Sequence, residues 1–235
     1  MEKTKEGWIE ERLELQPIKE ALLDRKVPRA LAGNIGWFYT LGSATLMTFV
    51  VLAVTGIMLT MNYSPTPDHA YDSVQYIMNE VSSGRLVRGI HHWAATAMVA
   101  LTFLHALRVM FFGAYKYPRE LTWVVGVLLF LLVLGSAFTG YLLPWDQKAY
   151  WATVVGTNLA GGTPVIGDFL LKLLRGGDTL GAVTLTRFYS LHAAVIPALI
   201  ATLIGIHLFL VIKQGISAPP KLARRARPAV PGEQR

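Results

Sequence analysis

The sequence contains no cysteine. That absence removes disulfides, thiolate metal sites, iron–sulfur clusters and any C-x-x-C-H haem attachment. A metal held by this chain must therefore take histidine, carboxylate or methionine ligands. Charge is also scarce: 16% of the 235 residues are charged and 53% are hydrophobic, too apolar a balance for a soluble domain of this length. Walker loop, Rossmann glycine fingerprint and nucleophile elbow are all missing. The first 36 residues are highly charged and lack an apolar core, so a cleavable signal peptide is not expected.

What the chain does have is long apolar runs. Four membrane spans are expected, at about Trp37 to Met61, Leu86 to Phe112, Leu121 to Leu142 and Arg187 to Ile212, the last kinked at Pro197. Before them, residues 1–36 carry an amphipathic stretch in which Trp8, Ile9, Leu13 and Ile18 alternate with Glu10, Glu11, Arg12 and Glu14. It reads as a surface helix interrupted at Pro17. Residues 62–87 read as a polar loop. The long connection 143–185 contains two apolar pieces, Ala149 to Val155 and Val165 to Leu174, that suit short interfacial helices. Tyr141, Trp145, Tyr150 and Trp151 suit a headgroup-level aromatic belt. Residues 213–235 form a basic, proline-rich tail.

Two of the spans carry matched histidines. His91 and His105 are fourteen residues apart in the second, and His192 and His207 fifteen apart in the fourth. At about 100° per residue, fourteen steps return to within roughly 40° of the starting face and fifteen to within roughly 60°. Each pair therefore shares a face, its members roughly 21 to 22 Å apart along the axis. Side by side, the two helices offer two His–His pairs, one above the other, a geometry for two bis-histidine haems stacked across a membrane. Intramembrane histidines also serve proton relays and quinone sites, so spacing alone leaves those uses open. The first and third spans repeat the period with glycine: Gly42 and Gly56 are fourteen apart, as are Gly126 and Gly140. Glycine allows close helix packing, and the same vacancy would admit the edge of a flat macrocycle.

The net charge of +7 is distributed by side. With four spans, the N-terminal segment, the 113–120 loop with Arg108, and the tail fall on one side and hold sixteen of the twenty-two Lys and Arg residues. The positive-inside rule puts both termini in the cytoplasm. The basic balance thus reflects topology, and nucleic-acid binding is not expected. The second and fourth spans then run parallel. His91 pairs with His192 near the outer face, and His105 with His207 near the inner face.

The segments GWIEERLEL, FYTLGS, SVQYIMNEV, YKYPRELTWVVGV, TGYLLPWDQ, TLTRFYSLH and KQGIS resemble the N-terminal half of cytochrome b. They are most similar to the short, split b-six form found in photosynthetic b-f complexes and in Gram-positive quinol oxidoreductases. The resemblance runs from about residue 7 to 218. The fifteen-residue step from His192 to His207 is itself like the split form. The implied fold is an all-α integral membrane four-helix bundle (37–212) binding two non-covalent b haems. A cytoplasmic amphipathic lead (1–36) would precede it and a basic cytoplasmic tail (213–235) follow it.

The resemblance further implies that His91 and His192 hold an outer low-potential haem, and His105 and His207 an inner high-potential one. Gly42, Gly56, Gly126 and Gly140 match haem-contacting glycines, and Arg88, Arg108 and Arg119 match basic residues beside the haems. Glu20, Asp24 and Lys213 are candidates for an inner quinone site. The activity implied is that of a dihaem electron-transfer subunit of a quinol oxidoreductase, joining quinol oxidation outside to quinone reduction inside with proton translocation. Two departures stand out. Thr40 occupies the position at which the split form carries a cysteine tethering a further c-type haem, so no covalent haem is expected. His92 follows His91 where chloroplast forms often have arginine. About 100° round the helix, His92 cannot share the iron of His91. The P-E-W-Y-type motif of the family's C-terminal half does not occur in the sequence. Expected partners are therefore membrane lipid, a separate C-terminal cytochrome b fragment (subunit IV-like), a Rieske iron–sulfur protein and a c-type cytochrome, in a dimeric complex. The expected location is a prokaryotic plasma membrane.

Overall fold

Long apolar sequences with few helix breakers fold here as long helices. The computed structural model describes residues 36–217. The expected lead helix, with Glu20 and Asp24, and all but the first residues of the basic tail lie outside them. After a 3-10 turn at Gly36–Tyr39, α1 spans Leu41–Thr60, α2 Ala70–Asn79, α3 Gly84–Phe111 and α4 Glu120–Leu142. Then come α5 (Gln147–Gly161), α6 (Gly167–Arg175), α7 (Ala182–Ser190), a π-helical turn (Leu191–Val195) and α8 (Ile196–Gln214). Among the described residues, four helical stretches are long and apolar enough to cross a membrane: α1, α3, α4 and the continuous Ala182–Gln214. The architecture is all-helical, as the sequence implies.

The four spans associate as two couples. α1 packs chiefly on α3 and α4 on α8, and α3 meets α4 between the couples. Met98, Val133, Ile196 and Ile200 form a buried apolar cluster at mid-bundle, with Phe49, Leu52 and Leu129 against it. Outward-facing Met47, Val54, Ile57, Leu131 and Phe209 stay exposed, the disposition expected of lipid-facing side chains.

The two ends of the bundle differ. At one, the loop end, Ala70, Leu142, Leu185 and Phe188 make a second core beneath α2 and the α5–α6 connection. The 62–87 segment, expected as a loop, contains α2. Its buried residues Ala70, Val74 and Ile77 recur at helical spacing. Gly84 is fixed by close approach, since a Cβ there would strike the carbonyl oxygen of Ile77. Tyr63 donates from its hydroxyl to the Leu143 carbonyl at 2.7 Å, clasping the α1 and α4 ends together. Burial, and secondarily Tyr189, push the Tyr63 phenol up, so it remains a donor. Asp146 caps α5 by accepting from Ala149 N–H at 2.8 Å, and Gly176 closes α6 in the left-handed region at φ 77°.

At the opposite, terminal end, Tyr39 hydroxyl donates to Ser217 carbonyl (3.0 Å), Arg119 Nε to Gly215 carbonyl (3.1 Å) and Thr122 to Gln214 Oε1 (2.6 Å). These bonds fasten the start of α1 and α4 to the end of α8.

The fourth span departs from a regular helix where it matters. Ile196 N–H bonds the Leu191 carbonyl, five residues back, so the turn around His192 holds one residue more than an α-turn. Pro197 follows immediately and has no N–H to complete a regular ladder. The kink expected at Pro197 is thus expressed as a π turn just before it. Absorbing one residue makes the fifteen-residue step from His192 to His207 angularly equivalent to fourteen, so both histidine pairs recur at about the same roughly 40° offset.

Candidate haem-binding sites in the helix bundle

The helix couples bring the histidines together in two levels separated by the mid-bundle core. At the loop end, the His91 and His192 rings stand 6.2 Å apart between centroids, their planes at 77°. At the terminal end, His105 and His207 line one apolar cavity of about 310 Å³ with Tyr39, Arg108, Arg119 and Ile204.

Every glycine singled out by period lies against one of these histidines. A Cβ on Gly42 would sit 3.2 Å from His105 Cε1, one on Gly56 3.3 Å from His91 Cε1, and one on Gly126 3.3 Å from His207 Cε1. At Gly140 it would overlap His192 Cε1 and lie 2.8 Å from Nδ1. The clearance that the sequence offers to a flat ring is filled, at all four positions, by the Cε1–Nδ1 edge of an imidazole. α1 backs the histidines of α3, and α4 backs those of the fourth span. At Gly42, Gly56 and Gly126 the histidine meets its glycine through Cε1 and Nδ1 first, and at Gly140 Nε2 also comes within 3.0 Å.

Hydrogen bonds choose the tautomer at the loop end. His192 Nδ1 lies 2.9 Å from the Ser136 carbonyl, which can only accept, so Nδ1 carries the proton. His91 Nδ1 lies 2.9 Å from Thr55 Oγ1, whose single proton is directed to the Val51 carbonyl at 2.7 Å. When His91 holds a metal through Nε2, its Nδ1 carries the proton and Thr55 Oγ1 accepts it. Both rings keep a lone pair on Nε2, the arrangement of a metal-ligating imidazole anchored through its other nitrogen.

This donor set fits a metal that brings its own equatorial ligands. Among the described residues, no group of three or more His, Cys, Asp or Glu side chains is placed to hold a bare ion. Each level offers two imidazoles and no third donor of those types. Two imidazoles that held one metal between them, each at about 2 Å with about 1.1 Å more to the ring centre, would have centroids about 6.2 Å apart. The 6.2 Å between His91 and His192 meets that requirement. At the terminal end, His105 Nδ1, His207 Nδ1 and Arg108 Nε are buried without hydrogen-bond partners around the cavity.

The arginines divide. Arg108 stacks on Tyr39 at 3.8 Å from the ring centroid and borders the cavity with Arg119. Arg88 lies one turn before His91 and reaches Met78 Sδ at 3.5 Å. Lys213 is exposed in the last turn of α8. Thr40 donates to the Trp37 carbonyl at 2.7 Å on the exposed start of α1. His92 points away from the pairs and meets Trp93 edge-on, with centroids 5.7 Å apart.

Two features escaped the sequence. Thr55 is a buried acceptor for His91, detectable only as a polar residue beside a periodic glycine. Arg175 is buried and bonds Thr157 Oγ1, the Val154 carbonyl, Asn158 Oδ1 and the Asp178 carbonyl, joining α5 to the end of α6. Nothing in its sequence context marks it as different from the exposed Lys172.

A family model described as Cytochrome b/b6/petB matches residues 26–215. The chain is 45% identical to a cytochrome b6 of Prochlorococcus marinus (strain MIT 9303), over 90% of this chain and 95% of that protein. It is 47% identical to a cytochrome b6 of Synechococcus elongatus, over 90% of this chain and 97% of that one. A chain of a solved structure titled "Hyperthermophilic respiratory Complex III" superposes with a TM-score of 0.83 at 33% identity. The match covers 95% of this chain and 58% of that one, so the present chain spans little more than half the length of that relative.

Proposed function

Because the chain belongs to the cytochrome b/b6 family, we propose that it is the dihaem electron-transfer subunit of a membrane quinol oxidoreductase. The observation that carries this is the pairing of His91 with His192 at a spacing suited to one metal, each ring anchored at Nδ1. His91 and His192 hold one haem b at the loop end, and His105 and His207 a second at the terminal end. When bound, haem supplies one-electron carriage at each level, and bis-imidazole ligation leaves no open iron position for oxygen chemistry.

The chain's residues do the rest. Thr55 and Ser136 fix the proton on Nδ1 and aim Nε2 inward. Gly42, Gly56, Gly126 and Gly140 seat the rings. Met98, Val133 and Ile200 keep the space between the levels dry. Arg108 and Arg119 bring positive charge to the terminal-end cavity, where acidic groups of a cofactor would be neutralised, and Arg88 does so at the loop end. Thr40, lacking a thiol, forms no thioether, so a covalent third haem is absent.

By the charge distribution, the loop end faces outward and the termini are cytoplasmic in a prokaryotic plasma membrane. Quinol is oxidised at the outer face, and quinone is reduced near the inner one, with Lys213, Glu20 and Asp24 as candidate residues for that inner site. This coupling moves protons outward. A subunit IV-like C-terminal cytochrome b fragment, a Rieske iron–sulfur protein and a c-type cytochrome complete the enzyme, as a dimeric assembly.

A reduced-minus-oxidised spectrum of the purified complex tests this. Two b-type components are expected. His207→Leu should remove the terminal-end component and leave the other, and His91→Leu should do the reverse. A spectrum without a b-type α band, or loss of both components from either variant with the subunit still assembled, refutes the assignment.

A further inference from the structure

The two histidine levels are built on one fourteen-residue repeat, yet they are not chemically equivalent. In α1, Thr55–Gly56 stands fourteen residues after Leu41–Gly42, and in α4, Ser136 and Gly140 stand fourteen after Thr122 and Gly126. At the loop end, both histidine Nδ1 atoms have acceptors within 2.9 Å, Thr55 Oγ1 and the Ser136 carbonyl. At the terminal end, the residue matching Thr55 is Leu41, which has no acceptor in its side chain. His105 Nδ1 is buried without a partner. The Thr122 carbonyl approaches His207, as the Leu52 carbonyl approaches His91, and His207 Nδ1 is likewise left without a completed hydrogen bond. Thr55 is 7% exposed, in a region where a hydrogen bond is not diluted by water. The Val51 carbonyl at 2.7 Å and the Leu52 carbonyl at 3.3 Å can take the Thr55 proton, which leaves its oxygen to accept from His91 when Nε2 is the metal-binding nitrogen.

An acceptor on Nδ1–H draws that proton away and leaves more electron density on Nε2. A ligand enriched in this way favours the more highly charged, oxidised metal. We propose that Thr55 is a potential-setting residue: its hydroxyl oxygen, through His91, lowers the midpoint potential of the loop-end haem relative to the terminal-end haem. Thr55 acts through the ligand and touches no reacting atom, so it is a positioning residue. The assignment rests on His91 and His192 holding haem, as proposed above. Leu41 at the matching position leaves the other level without this effect, so a single Thr/Leu difference within a repeat makes two similar sites unequal.

The test is an optical redox titration of the intact complex carrying Thr55→Val, which keeps the shape and removes the hydroxyl acceptor while leaving the Leu52 carbonyl in place. The oxidised-to-reduced ratio of the loop-end haem at fixed poise should fall about tenfold, an upward shift of about 59 mV for a one-electron couple. The terminal-end haem should not move, and Thr55→Ser should restore the wild-type value. The converse variant, Leu41→Thr, should lower the terminal-end potential and leave the loop-end one alone. An unshifted or lowered loop-end potential in Thr55→Val, or an equal shift of both haems, overturns the proposal. Should Thr55→Val lose its haem, an unchanged terminal-end potential in Leu41→Thr overturns it. A wild-type complex with two haems and unresponsive variants refutes the role of Thr55 alone. A wild-type complex without a haem at His91 and His192 refutes the underlying assignment as well.

Discussion

Replacing Gly140 by alanine should empty one haem site and spare the other. A methyl at this position overlaps His192 Cε1 and lies 2.8 Å from Nδ1 and 3.0 Å from Nε2. Carbon contacts are comfortable only from about 3.5 Å, so the imidazole must retreat by about an ångström at Cε1. The ring cannot tilt freely, because Nδ1 is held by the Ser136 carbonyl at 2.9 Å. Overpacking of this kind costs about 1–3 kcal/mol, and displacement of Nε2 strains a metal bond of about 2 Å that tolerates little stretching. Expressed as ligand affinity, that is a loss of roughly 5- to 150-fold. The same substitution at Gly42, Gly56 or Gly126 meets its histidine at 3.2–3.3 Å, a shortfall of about two or three tenths of an ångström, and should be tolerated with a small spectral shift. The assay is haem content per subunit, combined with a redox titration resolving the two components. Gly140→Ala should retain the His105/His207 component, which shows that the bundle has folded. Full retention of both haems at unchanged potentials, or preferential loss of the terminal-end haem, refutes the packing argument.

Arg175→Met should loosen the α5–α6 connection without touching the haems. Hydrogen bonds to charged groups contribute about 1.5–3 kcal/mol each, and truncation strands Thr157 Oγ1 and Asn158 Oδ1. Faster limited proteolysis between residues 143 and 185 with an unchanged haem spectrum is expected, and Arg175→Lys, lacking the planar fork, should rescue little. Unaltered proteolysis would refute this. A haem stain of the denatured subunit should be blank, because no thiol is present for attachment, and a stained band at this subunit's mass would contradict that.

The spans, their histidines and their glycines were legible because helical periodicity acts over fourteen residues, long enough for coincidence to be improbable. Neither the lining of the cavity nor the acceptor on His91 has such a period. Thr55 looks like any threonine in an apolar helix, where its hydroxyl would satisfy a carbonyl one turn back, and it does that as well. α2 was hidden because three buried residues, Ala70, Val74 and Ile77, are too short a stripe to stand out within a polar segment. Arg175 was illegible because its partners are mostly uncharged oxygens from residues up to 21 positions away. Glycine periodicity indicated close approach, but only the packing shows that the approaching group is the imidazole edge.

The π turn at Leu191–Val195 bears on how such chains change length. A residue inserted into an ordinary helix rotates everything beyond it by about 100°, which would swing one histidine out of its pair. Here the surplus residue is folded into a local bulge, and the register on either side survives. Lengths of fourteen and fifteen between the histidines of one span are thus interchangeable solutions to one geometric demand. A single-codon deletion within this turn, at Ala193 or Ala194, is the indel that the span is built to forgive, whereas the same deletion between His91 and His105 has no such slack to consume.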